Sequence, residues 1–246
     1  MTFLNKNRPV VLSLAGFDPC GGAGILADIK TFETSHVYGL GINTGITIQN
    51  DIEFKNVKWE SDKSIQEGVM LLAKRFEVKA AKLGLHQNLQ QVFRHVELLK
   101  KVWPNIKIVW DPVLSSSSGF DFKISISRKK LLQVLSRINL ITPNQNEFKQ
   151  LGLKAEEYPC NLLLKGGHTT GKYAEDILFA QGKKKKVFKS LRGKKIEKHG
   201  SGCVLSAAIT AELAKNKSLD ESISSAKKYI TRFLYSTTTL IGYHQS

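Results

Sequence analysis

The sequence predicts an α/β fold in which a mainly parallel sheet carries helices on both faces. Short apolar segments of strand length alternate with longer segments whose apolar residues recur at helical spacing, which is the pattern of such a sheet. Glycines or polar residues directly follow several of the apolar segments, where open α/β sheets bind ligands. One such fold accommodates 246 residues, so we expect a single domain over residues 1–246.

Apolar segments define six strands, and segments of helical period lie between them. The predicted strands are residues 9–16, 39–49, 80–85, 107–110, 140–142 and 162–165. The predicted helices are residues 23–35, 64–76, 89–100 and 129–136, a short helix after Asn144, and two long helices from Ser201 and Leu219. Each predicted strand is thus followed by a helix before the chain ends, as parallel neighbours require.

Positive charge is concentrated in one segment near the end of the predicted sheet. The net charge of +16 admits nucleotides, nucleic acid or an acidic surface as partners. From Lys183 to Lys198 the only acid is Glu197, and Gly182 precedes this lysine-rich stretch. We interpret it as a basic β-hairpin near the sheet edge, where lysines discourage edge pairing. Because no aromatic stacking series accompanies the lysines, a solvated face is the simpler interpretation and no specific nucleic-acid partner is expected.

Composition narrows the class of protein further. Apolar residues make up 41% and charged residues 24% of the chain, which excludes wholesale disorder. The first apolar run leads into Asp18 and a glycine cluster, so it reads as a strand and not as a signal peptide. No run reaches the roughly 18 apolar residues of a membrane span. The three cysteines, Cys20, Cys160 and Cys203, form no CxxC pair, and we expect free thiols in a cytoplasmic protein without a membrane partner.

Three features near the first two strands are candidates for binding a ligand. A glycine-rich turn from Gly16 to Gly24 joins the first strand to a helix, and such a turn lets backbone N–H groups approach a ligand. Asp28 in the helix and Gln49 at the end of the second strand are polar residues with apolar neighbours. A tight turn without a ligand, a solvent-facing Asp28 and a backbone-paired Gln49 are the structural alternatives.

Carboxylates follow the fourth and fifth predicted strands. Asp111 begins the segment Asp-Pro-Val113, and Glu147 follows Asn144 by three residues. Mg²⁺ prefers one or two carboxylates together with phosphate oxygens, so Asp111 and Glu147 are candidates to organise a metal and its water shell. The alternatives are a turn opened by Asp111 and a capping box formed by Asn144 and Glu147.

Two further segments suit the binding of phosphate. Lys165 ends a fully apolar strand, where a lysine is better explained as a point charge for phosphate than as a surface residue. Gly200, Ser201, Gly202 and Cys203 open a long helix, whose N–H groups and dipole favour the charge on a transferring phosphoryl group. The same position is expected to lower the pKa of Cys203. A glycine-rich cap with a small buried thiol is the structural alternative.

Together these segments resemble the hydroxymethylpyrimidine/phosphomethylpyrimidine kinases of thiamine synthesis, which belong to the ribokinase-like group. The resemblance covers nearly the whole chain. It is carried by AGFDPCGGAGI at 15–25 with AD at 27–28, QN at 49–50, KLGL at 82–85, DPVL at 111–114, TPN at 142–144 with Glu147, KGGH at 165–168 and HGSGC at 199–203. It implies a three-layer ribokinase-like sandwich and an ATP- and Mg²⁺-dependent kinase that acts on hydroxymethylpyrimidine and on its monophosphate.

The resemblance also implies roles for individual residues. The pyrimidine would be held by Gly16, Asp28, Gln49 and Val113. The ATP phosphates would be faced by Asn144, Glu147 and Lys165, with Asp111 and Glu147 serving Mg²⁺. Ser201 and Gly202 would present N–H groups to the γ-phosphoryl, and Cys203 would stand where related sugar kinases have an aspartate base.

Some positions depart from the pattern of the resemblance. Phe17 replaces a small hydroxyl residue, Cys20 replaces a serine, and Ser201 replaces a threonine. Only 17 residues separate Glu147 from Lys165, too few for the extra helix that relatives usually insert there. One face of the sheet is therefore expected to be thinly covered or closed by a second copy in a homodimer.

Two other functions remain open on the sequence alone. Pyridoxal or pyridoxine kinase is the nearer one, because related folds use a similar glycine-rich helix start and a hydroxymethyl ring acceptor; Gln49 and Cys203 favour the pyrimidine. The other is a catalytically silent ligand-binding homologue, against which the retention of Asp111, Glu147, Lys165 and Cys203 argues.

Overall fold

A computed structural model describes residues 8–115, 122, 124–166, 173–191 and 197–245 of the chain. One sheet of nine strands runs through these residues, in the order β3-β2-β1-β4-β5-β6-β7-β8-β9. The strands are β1 (Val10–Phe17), β2 (Tyr38–Gln49), β3 (Phe54–Trp59), β4 (Val78–Leu83), β5 (Lys107–Trp110), β6 (Leu140–Ile141), β7 (Asn161–Leu164), β8 (Tyr173–Ala180) and β9 (Lys183–Leu191).

The central strands of the sheet are parallel. β1 pairs in parallel with β2 on one side and with β4 on the other, and β4 through β7 continue in parallel. Only β3, β8 and β9 pair antiparallel to their neighbours. The chain first moves outward from β1 to β2 and then returns to the opposite side of β1, so a crevice is expected beyond the ends of β1 and β4.

Helices cover both faces of the sheet, as predicted. They are α1 (Gly24–Thr34), α2 (Asp62–Ala73), α3 (Leu89–Val102), α4 (Arg128–Leu135), α5 (Gln145–Leu151), α6 (Ser201–Ala214) and α7 (Leu219–Leu234). Residues of α2, α3 and α4 share one buried cluster with the sheet, whereas those of α1, α6 and α7 belong to clusters on the other face. In the described part of the chain, every helix is too short or too polar to span a bilayer.

The sequence predicts the element at one edge of the sheet and misses the element at the other. The basic hairpin is confirmed: β8 and β9 form it, and Gln181 and Gly182 make its turn with positive φ angles of 50° and 73°. Lys185 contacts Asp220 at 3.0 Å, which fits a solvated, partly paired face. The strand β3 was not predicted, because only Phe54 is buried in it and its remaining residues lack an apolar segment.

The segment between Glu147 and Lys165 is short, as expected from its length. It contains α5, one 3-10 turn at Ala155–Glu157 and then β7. Tyr158 and Cys160 are nevertheless buried against the sheet with the residues of α2, α3 and α4. Side chains of this connection therefore cover part of the face that an additional helix would cover.

The end of the chain packs against the start of α6. The buried Lys198 amine donates hydrogen bonds to the carbonyl and hydroxyl of Thr237, at 2.7 and 2.8 Å, and to the carbonyl of Thr239. The His199 amide donates to the Leu240 carbonyl at 2.9 Å. The segment 236–245 is therefore fixed to the two residues that precede Gly200.

Replacing Lys198 by Met should release this segment, because three hydrogen-bond acceptors then lose a common donor. We expect the melting temperature to fall by a few degrees and limited proteolysis to cut first after Tyr235. Lys101→Met, which removes an exposed lysine of α3, is the control and should change neither. Proteolysis that starts elsewhere in both variants would contradict the anchoring role of Lys198.

Candidate active site

The glycine-rich turn after β1 has a conformation that only glycine permits at one position. Gly24 has a φ of 57°, and a Cβ there would lie 2.1 Å from the Gly16 carbonyl oxygen. Inside the turn the buried Asp18 carboxylate accepts hydrogen bonds from the amides of Cys20 and Ala23, at 3.0 and 2.8 Å. The turn is therefore held by its own backbone and one acid.

Gly16, Gln49 and Val113 lie at the same end of the sheet. Gly16 pairs with Gly45 of β2, and further along β2 the Thr47 hydroxyl donates to the Phe17 carbonyl at 2.8 Å, two residues before Gln49. Val113 lines a cleft together with Gly84 and His86, directly beyond β4. These three predicted residues therefore lie at the carboxyl edge of the sheet, and of them only Val113 lines the cleft beyond β4.

Asp28 of α1 forms a buried ion pair with Lys82 of β4. The Lys82 amine lies 2.6 and 2.8 Å from its two oxygens, and the Ser13 hydroxyl donates to the carboxylate at 2.6 Å. Burial lowers the pKa of Lys82, but the charge and hydrogen bond of Asp28, together with the charges of Cys203 and Asp111, outweigh this and raise the pKa above its usual value. Neither side chain has exposed surface, so in this structure the Asp28 carboxylate faces Lys82 and Ser13.

Asp111 lies at the centre of a second charged group, beyond β5. Its carboxylate accepts hydrogen bonds from Lys165 at 2.8 Å, from Thr142 at 3.1 Å and from Ser206 of α6 at 3.2 Å. Burial raises the pKa of Asp111, but the charges of Lys165 and Lys82 outweigh it and hold the pKa below its usual range. Asp111 is therefore ionised, and it joins the ends of three strands to α6.

Glu147 lies on the other side of Lys165. The capping box is confirmed: the Asn144 side chain accepts from the Glu147 amide at 2.9 Å, and the Glu147 carboxylate accepts from the Asn144 amide at 2.7 Å. The Lys165 amine is 3.9 Å from the carboxylate. Burial raises the pKa of Glu147 to about 7, and Asp111 adds to the increase although Lys165 opposes it. Two neighbouring buried acids with one lysine between them fit an added cation.

The start of α6 reaches this charged group. Gly200 caps the helix with a φ of 71°, and a Cβ there would lie 2.1 Å from the Gly22 carbonyl. A Cβ on Gly202 would lie 3.2 Å from the Lys165 amine, so the helix N-terminus and the lysine face the same space. The Ser201 amide donates to the Lys198 carbonyl at 3.3 Å. Gly167 and His168 of the KGGH motif lie outside the described residues.

Cys203 lies between the two charged groups. The Gly24 amide donates a hydrogen bond to its sulfur, and Lys82, Asp111 and Asp28 are close enough to act on its charge. The expectation that the helix start lowers the pKa of this thiol is wrong: burial raises the pKa to about 11, and the two acids add to the increase although Lys82 and Gly24 oppose it. The charge of Lys82 and the hydrogen bond from Gly24 act on the thiol less strongly than the loss of water around it.

Comparison with known proteins places this site in a family. The family model described as phosphomethylpyrimidine kinase matches residues 18–245. The chain belongs to the phosphomethylpyrimidine kinase family. A hydroxymethylpyrimidine/phosphomethylpyrimidine kinase from Aquifex aeolicus is 32% identical over 94% of this chain and 96% of its own. A bifunctional thiamine biosynthesis protein from Methanocaldococcus jannaschii is 30% identical over 96% of this chain, which spans 56% of the length of that relative.

Solved structures confirm the ribokinase-like architecture expected from the resemblance. A phosphomethylpyrimidine kinase from Clostridium difficile 630 superposes with a TM-score of 0.75 at 32% identity and covers 92% of this chain and 99% of its own. An ADP complex of Bacillus subtilis pyridoxal kinase superposes with a TM-score of 0.82 at 27% identity, over 97% of each chain. Both families of kinase therefore share the fold of this chain.

Two residues of the charged groups, Lys82 and Ser206, were not among the site residues predicted for this member of the phosphomethylpyrimidine kinase family. Lys82 interrupts the apolar residues of β4, and a lysine within a buried strand is the signal that also identified Lys165. Ser206 lies on α6 among small and apolar residues, and nothing in the sequence separates it from an ordinary helix serine. Its contact with Asp111 is visible only once the strands and α6 are assembled.

Replacing Lys82 by Met should destabilise the fold strongly, because the buried Asp28 carboxylate loses its counter-ion. We expect the free energy of unfolding to fall by about 3–5 kcal/mol, as for other broken buried pairs, measured by urea denaturation. Lys79→Met, at an exposed position of the same strand, should change it by much less. The double variant Lys82→Met with Asp28→Asn should recover part of the loss; a double variant as unstable as the sum of both would argue against a coupled pair.

Proposed function

We propose that this protein transfers the γ-phosphoryl group of ATP to the hydroxymethyl group of 4-amino-5-hydroxymethyl-2-methylpyrimidine, and then phosphorylates the monophosphate to the diphosphate, as in thiamine biosynthesis. One observation carries the proposal: Lys165 lies 2.8 Å from Asp111 and 3.9 Å from Glu147 while facing Gly202 at the start of α6. A lysine, two acids and a helix N-terminus at one place match the needs of phosphoryl transfer.

On the nucleotide side, the proposed contacts come from the ends of β6 and β7 and from α6. Lys165 would contact the phosphates as a point charge, next to Asn144 and Glu147. Gly202 and Ser201 would offer the helix N-terminus to the γ-phosphoryl. The Ser201 amide already donates to Lys198 at 3.3 Å, so we assign the larger share of this contact to Gly202 and to the helix dipole.

We further propose that Asp111 and Glu147 hold Mg²⁺. The donor set fits the ion, since Mg²⁺ prefers carboxylates and keeps several waters. When bound, Mg²⁺ would neutralise charge on the phosphates. Asp111 already accepts from Lys165, Thr142 and Ser206, so its oxygens suit an ion that is held through water better than one that displaces these donors.

On the acceptor side, Gly16, Gln49 and Val113 would line the pocket for the pyrimidine, with the Asp28–Lys82 pair beneath it. The Lys82 amine lies near the backbone of this edge, because a Cβ on Gly84 would lie 3.5 Å from it. An amino group of the ring that bonds to Asp28 would have to compete with Ser13, which donates to that carboxylate at 2.6 Å.

Cys203 is the proposed acceptor for the proton of the attacking hydroxyl. A thiol with a pKa of about 11 is almost wholly protonated at neutral pH, which limits it as a base. Positioning and charge neutralisation provide most of the catalysis in phosphoryl transfer. The proton transfer is therefore assigned a modest share of the rate, and the lysines and the helix terminus a larger one.

Pyridoxal kinase is the second candidate function, and the structural likeness to a pyridoxal kinase favours it. The test is ADP release by the purified protein with Mg²⁺ and ATP, comparing hydroxymethylpyrimidine, its monophosphate, pyridoxal and no acceptor. We expect release with both pyrimidines and little with pyridoxal. Release with pyridoxal alone would replace the proposal by the second candidate, and no release above the acceptor-free reaction would contradict both.

Replacing Cys203 by Ala should reduce kcat by about 100-fold if the sulfur receives the proton, within the usual range for a general base, and should leave the KM for ATP nearly unchanged. Cys203→Ser keeps the size and the hydrogen bonding but not the thiolate. Equal losses in both variants support the base; a serine variant with normal kcat would assign Cys203 to packing instead.

Replacing Gln49 by Ala should raise the KM for the pyrimidine about 10-fold, the effect of a lost hydrogen bond to a neutral group, with little change in the KM for ATP. Ile48→Ala, which changes an exposed neighbour on β2, is the matched control. An equal increase in both Michaelis constants for Gln49→Ala would remove this residue from the acceptor pocket.

A further inference from the structure

Outside the two charged groups described above, three metal-ligating side chains meet between the glycine-rich turn and the start of α6. The His199 Nε2 lies 2.9 Å from the Asp18 Oδ2, and the Cys20 Sγ lies 3.3 Å from the same oxygen. All three ligand atoms lie within 4.8 Å of one another. Asp18 and His199 are buried, at 1% and 7% exposure, whereas Cys20 is half-buried.

We infer that Asp18, Cys20 and His199 form a binding site for a borderline-soft divalent cation of the zinc class. Tetrahedral zinc binds sulfur at about 2.3 Å and nitrogen or oxygen at about 2.0–2.2 Å, which places neighbouring ligand atoms roughly 3.3–3.6 Å apart. The distances from the Asp18 Oδ2 to the His199 Nε2 and to the Cys20 Sγ, 2.9 and 3.3 Å, are close to these values. Small movements of the side chains would therefore suffice to bind the cation. The half-buried Cys20 gives the site one side that is in contact with solvent.

The balance of charge and of protons favours replacing the hydrogen bonds from Cys20 and His199 to Asp18 by a bound cation. The thiol and the imidazole both direct a hydrogen bond at one carboxylate oxygen, and one cation can replace both. Counting a neutral imidazole, the three side chains carry a charge of −1; on binding, the thiol releases one proton to solvent and the imidazole proton moves from Nε2 to Nδ1. The complex of a divalent cation with thiolate and carboxylate is then neutral, which suits a buried position.

The other ring nitrogen of His199 is available to take this proton. Among the described residues, the buried Nδ1 has no hydrogen-bond partner, so moving the proton there breaks no existing bond. The donor set also distinguishes this site from the Asp111–Glu147 group: a thiolate selects zinc or cobalt over Mg²⁺, which takes oxygen ligands. The two cations should therefore not compete for one site.

The bound cation would connect the two loops of the active site. Asp18 and Cys20 belong to the turn that contains Gly16, and His199 directly precedes Gly200. Binding to the folded state alone stabilises that state. We therefore expect stoichiometric zinc to raise the melting temperature by several degrees.

The experiment uses Co²⁺ as a spectroscopic probe of the full chain after treatment with a chelator. We expect one Co²⁺ per chain with a thiolate-to-cobalt absorption band, displaced by Zn²⁺ and unaffected by excess Mg²⁺. Cys20→Ser should abolish the band, and Cys160→Ala, which removes a thiol from the sheet face, should retain it. A band that persists in Cys20→Ser, or no band in the unaltered protein, would overturn the site.

A second measurement needs no variant and no kinase activity. Alkylation of the unaltered protein, followed residue by residue by mass spectrometry, should show that Zn²⁺ protects Cys20 at least tenfold. Equal labelling of Cys20 with and without Zn²⁺ would refute the site even if Cys20→Ser failed to fold. Because neither readout involves phosphoryl transfer, a failed site and a failed kinase assignment are distinguishable.

Discussion

The parallel pairing of β1, β4, β5, β6 and β7 brings the carboxyl ends of these strands to one edge of the sheet. Asp111, Thr142 and Lys165 are far apart in the chain, but each directly follows one of these strands. Their hydrogen bonds at this edge therefore follow from strand order and register. α6 completes the group because its N-terminus points to the same edge, with Ser206 on Asp111.

The buried charges at this edge are balanced only in part. Two lysines, Lys82 and Lys165, face three acids, Asp28, Asp111 and Glu147. Burial raises the pKa of Glu147 to about 7, and the neighbouring charge of Asp111 adds to this increase. A phosphate that contacted Lys165 would weaken the bond between Lys165 and Asp111. The proposed Mg²⁺ would then replace the positive charge that Asp111 loses, so the two proposed contacts support each other electrostatically.

The sequence predicted features that depend on local pattern and missed those that depend on assembly. The strand ends at Asp111, Thr142 and Lys165 were predicted within one residue, because buried parallel strands are short apolar runs with clear ends. The expected low pKa of Cys203 was wrong, because a motif reveals the helix start but not the burial that opposes it. Ser13 and Lys82, neighbours across β1 and β4, gave no hint of their common partner Asp28. The roles of Asp28, Gln49 and Cys203 toward ligands stay predictions.

Direct contacts join the glycine-rich turn on the acceptor side to the start of α6 on the phosphate side. Asp18 binds the amides of its own turn and the ring of His199, and the His199 amide is bound by Leu240. A Cβ on Gly200 would lie 2.1 Å from the Gly22 carbonyl oxygen, and a Cβ on Gly22 would lie 2.6 Å from the His199 ring. Because the acceptor turn and the helix start are in contact through these residues, a displacement of one must move the other. Transfer between an acceptor and a phosphoryl group requires their relative position to be closely held, and these contacts connect the two elements to which the acceptor and the phosphoryl group are assigned in the proposal.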